Sequence, residues 1–84
     1  GDGMTDHVIH HDPAVVALVE REVRRALTEA ADMLMDQSLE LRQAYRDHNA
    51  GRDPSKPRRR PDLDTWANAD EAASHAIRRR IPPT

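Results

Sequence analysis

Several sets of side chains in this sequence have types and spacings that chemistry can use. His7, His10 and His11 stand just ahead of Asp12, and imidazoles this close in sequence can share one metal ion. A metal site also needs a further ligand and a fixed geometry, and the neighbouring residues supply neither, so no metal is assigned. Glu29, Asp32, Asp36 and Asp47 fall near the centre of one side of a helical wheel, with Glu40 at its edge and Arg21 and Arg25 one turn earlier. Carboxylates so placed can bind divalent cations or work as an acid/base pair. The Glu-x-x-His partners of a di-iron bundle are missing, and a solvated helix face accounts for the pattern. Glu71 and His75, four apart, have the spacing of a surface pair on a helix.

Two arginine triplets remain. Arg58, Arg59 and Arg60 lie in a proline-rich stretch, and Arg78, Arg79 and Arg80 lie near the end of the chain. Guanidinium groups clasp phosphates or acidic protein surfaces. The second triplet also suits the last turn of a helix, where cations meet the negative end of the dipole. The sequence contains no nucleophile setting for Ser or Cys, no Gly-rich phosphate loop and no zinc spacing. The expectation is therefore a protein that is not an enzyme and carries no cofactor.

The elements that would hold these groups are helices. From Pro13 to about Asn49 the apolar residues keep helical time: Val16, Val19, Val23, Leu27, Ala30, Leu34, Leu41 and Tyr45 form one stripe. Val15, Ala26, Met33 and Ala44 widen it on one side, while Leu18 and Leu39 stand off it near the acidic face. Asp12 before Pro13 has the form of an N-cap followed by Pro at the first helical position. Gly51 supplies the stop, with Pro54 beyond it. At about 1.5 Å per residue this helix is roughly 55 Å long, more than a small globular core needs.

Residues 50–62 read as a linker, since Pro54, Pro57, Pro61 and Gly51 exclude a helix and favour an extended, exposed segment. A second helix is predicted from about Leu63 to Arg80, with Leu63, Trp66, Ala73, Ile77 and Ile81 on one face. Asp70 falls inside that face. Asn68 and Glu71 have capping-box spacing, so a restart of the helix at Asn68 would place Asp70 in a first turn and leave 62–67 as a short turn. Pro82-Pro83 ends it.

Composition bounds the rest. The chain has 84 residues, no Cys, no Phe, one Trp and one Tyr, and a third of its residues are charged. Chains this short bury only about 60% of their unfolded surface, and alanine contributes little apolar area. Without disulfides, oligomerisation or a partner is the expected stabiliser. Net charge is −2, with an acidic first half and a basic second half that can attract each other. No apolar run reaches the length of a membrane span and no signal-peptide pattern opens the chain, so a soluble, cytoplasmic protein without membrane contact is expected. Gly1-Asp2-Gly3 ahead of Met4 reads as an expression scar.

The expected architecture is all-α. Residues 1–12 form an N-terminal segment, 13–81 a single helical hairpin, and 82–84 a short tail. The second helix is long enough to cover only the half of the first around Ala30 to Tyr45, by Trp66 and Ile77. Val15, Val16, Val19, Val23 and Leu27 are left as an apolar patch, the mark of an interface. Two-fold association into a four-helix arrangement would close it, with Gln37 at the stripe edge helping to set register. The function expected is that of a homodimeric protein–protein interaction module with an adaptor or regulatory role and a further, unidentified protein partner. The alternative is a small nucleic-acid-binding regulator that uses the two arginine triplets.

Overall fold

A computed structural model describes residues 12–83. Two helices account for most of them, Pro13–Asn49 (α1) and Pro61–Arg80 (α2), packed side by side as an antiparallel hairpin. Both ends of α1 follow from its sequence. The Asp12 carboxylate accepts a 2.9 Å hydrogen bond from the Ala14 amide, and Pro13 takes the first helical position, where its missing N–H costs nothing. At the other end Ala50 leaves the helix in an extended conformation and Gly51 follows with φ of 72°. That left-handed geometry is one that glycine adopts without steric cost.

α2 begins two residues earlier than the sequence suggests. Pro61 opens it, after Arg60 turns the chain with φ of 49°. It then runs unbroken to Arg80, so the restart at Asn68 does not occur and 62–67 is helical. Asp62 and Asp64 in the first turn, and the arginines in the last, complement the helix dipole at each end.

The seam between the helices lies off the apolar stripe of α1. Its buried residues are Ala31 and Ser38 from α1, and Leu63, Ala67 and Ser74 from α2. On α2 the row continues through Asp70, Ile77 and Ile81, all partly buried, with the alternating spacing of four and three that a coiled-coil seam requires. On α1 the matching row includes Thr28, Ala31, Met35, Ser38, Arg42, Tyr45 and Asn49. Alanine and serine at the centre allow the two backbones to approach closely, because interaxial distance depends on the side chains at the contact. The Ser74 hydroxyl donates to the Ala31 carbonyl at 2.7 Å, a direct bond from one helix to the backbone of the other.

This corrects the expected cover. Trp66 does not lie over the C-terminal half of α1: it stands 52% exposed, beside the seam. An indole cannot enter a contact spaced by Ala67 and Ser74, and Leu63 takes the inward position instead. Leu34 and Leu41, flanking the seam, and Tyr45, on its row, are only half-buried. Among the described residues the buried apolar ones number three, and two of them are alanine. Full burial of the single leucine contributes about 2 kcal/mol, so the hairpin holds little apolar core of its own.

Candidate interaction surface

The two sides of the hairpin differ in chemistry. Arg42 organises one side. Its guanidinium donates to the Ser38 hydroxyl at 2.7 Å and to the Asn68 side-chain oxygen at 2.8 Å, and pairs with Glu71 at 2.5 Å. Glu71 also lies 3.6 Å from His75. Nearer the other end of α2, Arg78 pairs with Asp32. Asn68 and Glu71, which have capping-box spacing in sequence, thus serve as the α2 ends of a cross-helix network. Sequence reasoning did not single out Arg42. Its position four after Ser38, on the row of small residues, was the available signal.

The opposite side is apolar. Successive helical residues are about 100° apart, so Leu41 emerges across the seam from Arg42, and Ala73 across it from Glu71. Leu34, Leu41 and Ala44 of α1 therefore share a face with Trp66, Ala69 and Ala73 of α2. None is fully buried. Met33 beside them is 67% exposed.

This face continues past the end of α2. The cross-helix bonds set a level between the helices in which paired residue numbers add to 105–110. Arg80 is then level with residues 25–30 of α1, and α1 from Pro13 to about Leu27 projects beyond the hairpin as a single helix. Along it Val15, Val16, Val19 and Val23 are 44, 40, 54 and 44% exposed, and Leu27 is half-buried at its base. Leu18 and Leu39 are 51 and 55% exposed on other sides of α1.

The linker is exposed, as expected, but it is folded into turns and not extended. Asn49 clamps it to α1. The Asn49 amide donates to the carbonyls of Tyr45 and Arg59, both at 2.8 Å, and its oxygen accepts from the Arg59 amide at 2.7 Å. Asp53 accepts from the Ser55 amide and hydroxyl at 3.0 and 2.9 Å, and these bonds hold its carboxyl below the usual carboxylate range. The Arg52 guanidinium donates to the carbonyls of Asp53 and Lys56.

The arginine triplets do not merge into one basic surface. Arg58 donates to the Tyr45 hydroxyl at 3.3 Å, and Arg60 forms a two-bond pair with Asp62, which raises its own pKa and lowers that of Asp62. Arg78 is engaged with Asp32. The length of α2 separates the triplets by about 30 Å, at 1.5 Å per residue. The acidic residues of α1 stay on its outer side, where Glu29, Asp32, Asp36 and Glu40 line a shallow, open depression with Met33 and Gln37. Among the described residues, no group of three or more His, Cys, Asp or Glu could hold a metal ion. His7, His10 and His11 lie outside the described residues. Nor is any described helix long and apolar enough to cross a membrane.

Comparison of the chain with family models, with curated proteins and with solved structures gave no match.

Proposed function

We propose that this chain is a non-enzymatic helical interaction module that works as a homodimer and presents its remaining surface to a protein partner. One observation carries the proposal. The hairpin buries three apolar residues, while four valines on the projecting half of α1 stay at least 40% exposed. A chain with so small a core gains its stability from association, and an uncovered apolar patch marks where association occurs. Val15, Val16, Val19, Val23 and Leu27 are the residues proposed to meet the second copy. The surface network of Arg42, Glu71 and Arg78 and the basic linker remain available to other molecules.

Light scattering coupled to size-exclusion chromatography at micromolar concentration tests this. The expected mass is twice 9.5 kDa, and a well-folded monomer overturns the proposal. The nucleic-acid alternative would rest on Arg58, Arg59, Arg60, Arg78, Arg79 and Arg80. Their separation to opposite ends of α2 favours the dimeric module over it, and absence of DNA or RNA binding at low salt would dispose of it.

A further inference from the structure

Resting on the dimer reading, we infer that the projecting arm of one copy seats in the apolar groove between α1 and α2 of the other, the two α1 helices running antiparallel. The groove is lined by Leu34, Leu41 and Ala44 on one side and Trp66, Ala69 and Ala73 on the other. Its occupant is the arm from Pro13 to about Leu27 of a second copy.

Length is the first support. The arm projects about 14 residues past the end of α2, or roughly 21 Å. Two copies of α1 placed antiparallel about their common midpoint, Ala31, bring Pro13 opposite Asn49. The arm then spans the partner from about Leu34 to Asn49, the stretch that α2 flanks on one side. Its Val23 comes level with the partner's Ala69 and Ala73, and its Val19 with Trp66 and Leu41. Each end of the assembly becomes a three-helix bundle of α1, α2 and the visiting arm.

Shape and chemistry agree. Val16, Val19 and Val23 recur at the spacing of one helix stripe, and the groove offers alanines on both walls with a half-exposed indole at its loop end. Ala26 and Ala30 lie where the two α1 helices cross, and small residues there permit close approach. The same surface patch serves both copies, as two-fold symmetry demands. A footprint of about 55 Å by 10 Å along α1 alone is roughly 550 Å² per chain. Adding the α2 wall brings it near the ~800 Å² per partner of a standard stable interface. The competing two-fold, with both loops at the same end, leaves the groove open and pairs the arms in parallel, Val23 beside Val23.

The absence of native cysteine makes cross-linking a clean test. Val23→Cys and Ala69→Cys are prepared separately, mixed and mildly oxidised. A disulfide needs Cα atoms within about 7 Å. In the arm-in-groove dimer Val23 lies about 24 Å from its copy and Ala69 about 30 Å from its own, at 1.5 Å per residue. The expected result is a covalent dimer from the mixture and none from either variant alone. A Val23→Cys disulfide with itself, or no cross-link from a mixture that light scattering shows to be dimeric, overturns the arrangement and leaves the dimer standing. A monomer in light scattering overturns both. The unmodified chain gives a second readout, since Trp66 is its one tryptophan. Its emission should shift to shorter wavelength in the dimer and return on dilution. Emission of a solvated indole in the concentrated dimer also overturns the arrangement.

Discussion

Replacing Asp70 with leucine should stabilise the protein. Asp70 occupies a seam position of α2 between Ala67 and Ser74, and its Oδ2 is buried without a hydrogen-bond partner. A buried acceptor left unpaired costs about 1–3 kcal/mol. Leucine removes that cost and adds apolar burial of order 1 kcal/mol at a half-buried site. The flanking Ser38 and Ser74 are fully buried and tight, so overpacking offsets part of the gain. The net expectation is about 2 kcal/mol, which at a urea slope near 1 kcal/mol/M moves the unfolding midpoint up by about 2 M. Urea titration followed by circular dichroism measures it, at one fixed protein concentration because an associating chain gains stability by mass action. Asp70→Asn keeps the shape and lowers the desolvation cost, so it should move the midpoint the same way by less. Midpoints at or below the parent's for both variants would mean that the oxygen is satisfied, and the seam position assigned to residue 70 would be wrong.

Ser74→Leu should destabilise by about 1–3 kcal/mol, because it forces apart helices that meet through small residues; Ser74→Ala should cost about 1 kcal/mol through loss of the bond to the Ala31 carbonyl. Thermal melts of the two variants check both, and a Ser74→Leu melting point at or above the parent's would contradict the close approach. Gly51→Ala should cost about 1–2 kcal/mol for strain at φ of 72° alone, since the space around a new Cβ is open; a crystal structure with unchanged φ and a lowered melting point would agree. For Asp53 the folded pKa is lowered by the Ser55 bonds, so its contribution is present above the unfolded carboxylate value and is lost as pH falls through the lowered one. The Ser55 amide resonance should report that loss in an acid titration, at a pH below the titration of an ordinary aspartate, and Asp53→Asn should abolish the step.

The helices and their ends are legible in the sequence because they depend on local chemistry. Asp12 with Pro13, and Gly51 after the last periodic residue, act through hydrogen bonds and dihedral preferences within a few residues. The seam is harder to read. Hydropathy ranks Val, Leu and Trp first, whereas the contact that forms is decided by what permits close approach. Ala31 and Ser38 lie seven apart, as do Ala67 and Ser74, and this repeat of small residues was the signal that hydrophobic periodicity passed over. Trp66 stands outside the seam for that reason. The Asn49 clamp and the Arg42 network are not legible locally, because both join residues distant in sequence, ten and twenty-six or more positions apart. The division of α1 into a half flanked by α2 and a projecting half was legible from length alone.

The small-residue seam has a consequence for how the hairpin keeps its alignment. Alanine and serine present only shallow ridges, so the centre of the seam by itself gives little resistance to sliding of α2 along α1. Arg42 with Asn68 and Glu71, and Arg78 with Asp32, match in a single alignment. Exposed ion pairs of this kind are individually worth about 1 kcal/mol or less. Their value here lies in alignment: they act as graduation marks that fix a position which a shallow packed surface holds only weakly.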